Sequence, residues 1–321
     1  MKISILVPIY GVERYIARCA ESLFSQTYED LEYIFVDDRT PDHSIEILKD
    51  VLQQFPERQS QVTILRHDVN KGLGAARLTA LKAATGDYLM HVDSDDELPL
   101  QAVELLATKA QQSGADIIDG GYSMIRQGQL TESHRPFIGS KTAFLKLLLC
   151  QNIVLSMVWA RLYKRDVYSR YQILPVPGID YAEDWAIVPR LYLHASRDTV
   201  NSVVYHYRDD SAESFTNVVM SDKAKRSLLK ANALVNEYYR EYDKENKYRY
   251  ALELGYISTL RVARNNDIDM TLVNQTLNVS CQHLATRLMA NIMRSNCPMP
   301  VASILYRCFR KVYEVKVRLF S

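Results

Sequence analysis

Four near-continuous apolar runs separated by helix-period segments constrain the fold of about the first 120 residues more than any other feature of the chain. The runs are "ISILVPIY" (3–10), "LEYIFVDD" (31–38), "VTILRH" (62–67) and "YLMHVD" (88–93), and the intervening segments 13–25, 43–55 and 73–84 read as helices. Strands that are apolar throughout need cover on both faces, which predicts an α/β domain with a mostly parallel central sheet flanked by helices. Such sheets bind ligands beyond the carboxyl ends of their strands. Acidic residues gather at those ends: Asp37 and Asp38 after the second run, Asp93, Asp95, Asp96 and Glu97 after the fourth.

Carboxylates this close repel one another unless water screens them or a cation sits among them. In an extended segment Asp93 and Asp95 point the same way while Ser94 turns aside. Hard oxygen ligands of this kind suit Mg²⁺ or Mn²⁺, which take one or two carboxylates and complete their shell with water and phosphates. The competing reading is a helix cap, because Asp favours a helix N-terminus and a helix is expected from near Pro99.

The elements occur in the order V-P-I-Y, "SLFSQTYEDLEYIFVDD", "NKGLGAAR" and "YLMHVDSDDE". In order and spacing they resemble the nucleotide-sugar glycosyltransferases of family 2, with the GT-A fold, of the bacterial surface-polysaccharide type. "MVWARLYKRDVY" (157–168), "GIDYAEDW" (178–185) and "VVYHYRDD" (203–210) resemble the acceptor-side half of that family. The resemblance implies a catalytic domain over 1–216, with a nucleotide-sugar half (1–97) and an acceptor half (98–216), and a separate α-helical region over 217–321.

It also implies roles. Pro8, Tyr10, Asp37, Asp38, Arg77, Asp93 and Ser94 would bind the donor, and Asp93 and Asp95 of the D-x-D would hold Mn²⁺ or Mg²⁺. Asp184 of the E-D pair would be the catalytic base, beside Glu183. Trp159 would offer a platform to a sugar, and His206 or Arg208 would approach the diphosphate from a flap. The implied activity is a metal-dependent, inverting transfer of one sugar from a nucleotide sugar, a UDP-sugar by expectation, to a hydroxyl of capsule, lipopolysaccharide or a lipid-linked precursor. Tryptophan occurs only as Trp159 and Trp185, so no Q-x-x-R-W is present and a non-processive enzyme is expected.

The sequence departs from the family pattern at Arg39, which replaces the glycine usual after V-D-D, and at Pro41. It departs again at the acids that follow Arg208. Gly72 and Gly74 form a G-x-G that opens a helix more readily than it binds phosphate. Two other readings stay open: a binding module or scaffold that holds a nucleotide sugar without turning it over, and aspartate-nucleophile phosphatases, although in those the D-x-D follows the first strand.

With 47% hydrophobic and 24% charged residues the chain reads as an ordinary globular protein, and a net charge of +1 argues against nucleic acid as a partner. Five scattered cysteines without a C-x-x-C suggest neither disulfides nor zinc, so a cytoplasmic location is expected. The N-terminal apolar run is too short for a signal peptide. Beyond about residue 220 helical periods dominate. In the last helix Ile304, Leu305, Cys308, Phe309, Val312, Val315 and Leu319 share one arc. Arg307, Arg310, Lys311, Glu314 and Arg318 share the other, a pattern expected of peripheral contact with an anionic membrane.

Overall fold

The computed structural model describes residues 1–151, 153–209, 220–295 and 297–320. By backbone proximity they fall into two units. The first holds residues 1–138, 158–180 and the segment from His194 to the end of the last strand. The second holds 139–157, 181–193 and the C-terminal helices. Two internal segments thus group with the C-terminal helices, whereas the sequence reading placed them with the first 216 residues.

The first unit is built on one sheet. Its leading strands are β1 (Ile3–Ile9), β2 (Leu31–Asp37), β3 (Val62–Arg66) and β4 (Tyr88–His91), connected through α1 (Ile16–Phe24), α2 (Ser44–Gln53) and α3 (Leu73–Ala83). These four strands are parallel in the order β3-β2-β1-β4. Every residue of β1 is buried, as a strand covered on both faces requires. After α4 (Ala102–Ser113) the chain adds β5 (Ile117–Arg126) and β6 (Gln129–His134). Beyond α5 (Lys141–Leu149), which belongs to the second unit, come β7 (Arg161–Lys164) and α6 (Asp166–Arg170). Then α7 (Glu183–His194) leads to β8 (Arg197–Arg208). β7 runs antiparallel between β4 and β5, and β8 runs parallel to β5 along its other edge.

The chain leaves β1 on one side towards β2 and returns on the other as β4, so β1 and β4 flank the point where strand order reverses. This is where open α/β sheets bind ligands. Pro8 widens it. Val92 N–H donates to Leu6 O and Asp38 N–H donates to Ile9 O, so alternate residues of β1 face opposite neighbours. Pro8 therefore faces the β4 side, just past the last β1–β4 pair at Leu6 and His91, where a missing N–H leaves no ladder bond unmade.

The second unit is helical: α5, most of α7, then α8 (Asp222–Tyr242), α9 (Arg249–Asn265), α10 (Met270–Leu277), α11 (Leu284–Arg294) and α12 (Met299–Phe320). Ser221 caps α8 by accepting from Ala224 N–H. The Glu253 carboxylate, 1% exposed, accepts from Gln282 N–H and Thr286 Oγ1 and pairs with Arg249 and His283, tying α9 to the start of α11.

Gly74 carries a steric constraint rather than a conformational one. A Cβ there would meet the backbone oxygens of Val176 and Ile179 at 2.5 and 2.6 Å. Alanine favours an isolated helix over glycine by roughly 1 kcal/mol. Here we expect Gly74→Ala to destabilise instead, by about 1–3 kcal/mol, measured by urea unfolding.

Candidate functional site

The acidic turn after β4 forms the centre of the site. Asp93 and Asp95 are partly exposed while Ser94 and Asp96 are buried, but residues 94 and 95 form a turn closed by Asp96 N–H donating to Asp93 O, not the extended segment expected from the sequence. None of these carboxylates caps a helix. α4 begins at Ala102, and its N-cap residue Gln101 makes no side-chain capping bond.

The turn is gripped from two sides. Arg77 on α3, 1% exposed, donates from Nη2 to Asp93 Oδ1 at 2.9 Å. From β8, the Tyr205 hydroxyl donates to Asp96 Oδ2 at 2.7 Å and accepts from Asp93 N–H at 3.0 Å. Arg208 N–H donates to Asp96 Oδ1 at 2.7 Å. The Arg208 guanidinium donates to Asp95 O and to Glu97 Oε1 and lies over the Tyr15 ring. Asp96 is thus a fully buried anchor, and Asp93 and Asp95 are what it presents.

Burial, and then the charge of Asp93, push the Asp95 carboxyl up to about 6. Burial and the two neighbouring aspartates raise Asp96 well above the usual carboxylate range. A divalent cation beside Asp93 and Asp95 would reverse the repulsion, so the donor set fits Mg²⁺ or Mn²⁺. Among the described residues no group of three His, Cys, Asp or Glu side chains forms a closed metal cage.

At the end of β2 the two aspartates organise loops. Asp37 accepts from Thr40 N–H at 2.8 Å and pairs with Arg66, and it is 2% exposed. Asp38, 3% exposed, accepts from Lys71 N–H and Gly72 N–H, both at 2.8 Å, and lies 2.6 Å from His67 Nδ1. Capping of α2 falls to neither, because Asp42 accepts from Ser44 N–H and Ser44 Oγ. Direct donor contact by Asp38 would meet a carboxylate already accepting three hydrogen bonds. Arg39, which stands in place of the family's glycine, adopts φ +60, the left-handed conformation that glycine supplies without cost. The turn is kept at the expense of strain. Tyr10, at the carboxyl end of β1, is 51% exposed.

The remaining expectations divide. The G-x-G opens α3, and its N-terminus is taken by a carboxylate: Gly74 N–H donates to Asp180 Oδ1, and a Cβ on Gly72 would strike that same group. Arg77 does not project into solvent towards a diphosphate; it lies beneath the turn, holding Asp93. Trp159 is 4% exposed, stacked against Tyr205 at 4.6 Å and Tyr207 at 5.4 Å, so it is core rather than a sugar platform. Arg208 is 4% exposed at the end of β8, not on a flap, because the acidic turn uses its donors. His206 pairs through its backbone with Glu97, and burial lowers its imidazole pKa. The acids from Asp210 onward lie outside the described residues.

Glu183 and Asp184 open α7 in the second unit, each 8% exposed, where negative charge suits the helix dipole. Ala182 before them has φ +63. Tyr181 is fixed to α8 by a reciprocal pair: its N–H donates to Ser227 Oγ at 3.0 Å, and Ser227 Oγ donates to Tyr181 O at 2.8 Å.

Sequence reasoning missed Tyr205 and the anchoring role of Asp96. The signal was present in Y-x-Y-R, where residues 205 and 207 share one strand face, but only the bridge between His206 and Glu97 brings the Tyr205 hydroxyl onto Asp96.

The family profile described as glycosyl transferase family 2 matches residues 4–172. The chain belongs to that family. The uncharacterized glycosyltransferase EpsJ of Bacillus subtilis is 30% identical over 247 residues, covering 75% of this chain and 70% of EpsJ. The poly(ribitol-phosphate) beta-glucosyltransferase of Bacillus spizizenii is 31% identical over 210 residues, 64% of this chain but only 32% of that protein. Among solved structures, S. aureus TarS 1–349 in complex with UDP-GlcNAc superposes with a TM-score of 0.62 at 16% identity, covering 97% of this chain and 92% of TarS. The fold of this family 2 chain is therefore GT-A.

Two outcomes follow from the acidic turn. A carboxyl with a raised folded-state pKa binds more protons folded than unfolded, so it lowers stability as pH rises from its ordinary 3.8 through about 6. Asp95→Asn should accordingly raise the stability of the metal-free protein near neutral pH by roughly 1–3 kcal/mol, a gain that fades below pH 4, in thermal melts across pH. Tyr205→Phe should do the opposite at all pH values. It strands Asp93 N–H and one oxygen of Asp96, and urea unfolding should show a loss of about 1–3 kcal/mol.

Proposed function

We propose that this family 2 glycosyltransferase is an inverting, metal-dependent enzyme that adds one sugar at a time from a UDP-sugar to a hydroxyl of a bacterial surface glycan: capsule, lipopolysaccharide or a lipid-linked precursor. The observation that carries the reading is the acidic turn itself. Two partly exposed carboxylates stand at the sheet's switch point, fixed by Arg77, Tyr205 and Arg208 and left short of positive charge. The match of residues 4–172 and the likeness to a UDP-GlcNAc complex support a nucleotide-sugar donor. The surface-glycan acceptor draws support from the poly(ribitol-phosphate) beta-glucosyltransferase relative.

Pro8, Tyr10, Asp37 and Asp38 frame the end of the site that receives the base, with the exposed Tyr10 ring offering a stacking face. Asp37 and Asp38 act there chiefly by fixing the loops. Arg77, Asp93 and Ser94 shape the diphosphate end, and Asp93 and Asp95 hold Mg²⁺ or Mn²⁺. The ion, when bound, neutralises the charge that develops on the departing diphosphate. Asp184 takes the proton of the acceptor hydroxyl as its oxygen bonds to the anomeric carbon, Glu183 lies beside it, and the sugar–diphosphate bond breaks with its electron pair on the nucleotide. Inversion follows from a single displacement. Peripheral contact of the C-terminal helix with an anionic membrane on its cytoplasmic side belongs to the same reading.

Calorimetry of UDP with Mn²⁺ or with EDTA tests the donor site. Binding should require the metal and vanish in Asp95→Ala; binding of no nucleotide under any condition would sink the donor assignment. Asp184→Asn should keep UDP affinity while turnover of the UDP-sugar falls by roughly 10²–10⁴-fold. Undiminished turnover would remove Asp184 as base, and turnover absent from the wild type with every donor and acceptor would favour a binding module.

A further inference from the structure

The last helix carries two apolar faces, and only one of them is used within its own unit. α12 packs through Ala302, Tyr306 and Val317, which are 0%, 1% and 3% exposed. The Tyr306 hydroxyl reaches Cys150 O and Leu254 O, and Arg310 reaches Gln151 O, so this seam is tied to α5 and α9. A second set points away: Val301, Ile304, Leu305, Val312, Val315 and Leu319 are 44–70% exposed. At 100° per residue these six fall within an arc of about 100°, centred roughly 140° from the packed seam, and run about 27 Å along the helix. Cys308, also exposed, lies on the same arc. The apolar arc read from the sequence is thus mostly the one left in water.

A neighbouring helix also exposes apolar side chains. On α11, which buries Thr286, Met289, Ala290 and Met293, the side chains of Leu284 and Leu288 are 66% and 55% exposed, with exposed Arg287 between them. Basic residues border the α12 stripe on both edges, Arg307, Lys311 and Arg318 on one and Lys316 on the other. The only acid, Glu314, is neutralised by Lys311 and Arg318. Among the described residues no helix is long and apolar enough to cross a membrane.

We infer that α12 and α11 form an interfacial docking face for an anionic lipid bilayer, their apolar stripe entering the acyl boundary and the bordering Lys and Arg meeting headgroup phosphates. Charge decides between occupants. A second copy of the chain would set these basic borders against each other, whereas anionic headgroups satisfy them. A solvated stripe this long without an occupant would be an aggregation liability. The inference rests on the membrane contact included in the proposed function and deepens it by naming the surface; vesicle binding is read without substrate, so its failure is distinct from failure of the transfer reading.

The test is co-sedimentation of the full chain with vesicles of phosphatidylglycerol and phosphatidylcholine, against phosphatidylcholine alone. The comparison variant is the triple substitution Ile304→Gln, Val312→Gln, Leu319→Gln, whose positions are 60%, 70% and 69% exposed and leave the packed seam intact. Wild type should pellet with the anionic vesicles and less so as salt rises, and the triple variant should partition at least about tenfold more weakly with an unchanged circular dichroism melt. Equal pelleting of the two proteins overturns the inference, as does equal binding to neutral vesicles. Light scattering that shows a dimer, abolished in the triple variant and accompanied by no vesicle binding, overturns it in favour of self-association.

Discussion

Mutual repulsion among the carboxylates that follow β4 is the constraint on which the first unit depends. Asp93, Asp95 and Asp96 lie within four residues at the end of a buried strand, where low dielectric magnifies like charge. Buried polar contacts from distant elements hold them there. Arg77 is fully buried in order to meet Asp93, and Tyr205 and Arg208 take both oxygens of Asp96. Arg77 and Arg208 set two positive charges against four acidic side chains, so the contacts fix positions while negative charge stays in excess. What remains is a rigid, electron-rich edge at the point where the sheet changes direction.

Three of the strained backbone positions adjoin residues singled out from the sequence. Arg39, Ala160 and Ala182 occupy left-handed conformations with φ of 60, 59 and 63, although each carries a Cβ. They directly adjoin Asp38, Trp159 and Glu183. Each turn aims a strand end or a helix start, and the surrounding hydrogen bonds hold it: Asp37 on Thr40, Ala160 O on Gly120 N–H, and Ser227 on Tyr181. Side chains at these positions cost stability where glycine would not, and the site keeps its shape through its neighbours.

The alternation of apolar runs and helical periods located β1 to β4 and α1 to α3 to within a few residues, because buried parallel strands leave an unmistakable run of branched and aromatic residues. The acidic turn was legible for the same reason, as charge placed directly behind such a run. Its supports were not. A buried Arg77 reads in sequence like any helical arginine, Trp159 like a sugar platform, and Asp38 like a ligand contact, since whether a polar group faces a cleft or a loop depends on elements distant in the chain. Asp96 and Tyr205 are separated by 109 residues, and nothing local to either announces the other.

Periodicity has a related limit at α12. It shows that apolar residues share an arc, yet it does not say whether that arc is the packed seam or a second surface. Here the seam uses a narrow set of small and aromatic residues, Ala302, Tyr306 and Val317, and the broader aliphatic stripe is surplus to the unit's own core. A soluble nucleotide sugar reaches an enzyme by three-dimensional diffusion, whereas a lipid-linked glycan is confined to a plane. An enzyme joining the two meets its acceptor more often when it is itself held at that plane, an effective-concentration gain that requires no new contact with the acceptor. On the docking proposed above, the surplus stripe and its basic borders would supply such a hold with reversible strength, because a shallow apolar face assisted by screened charges binds without anchoring.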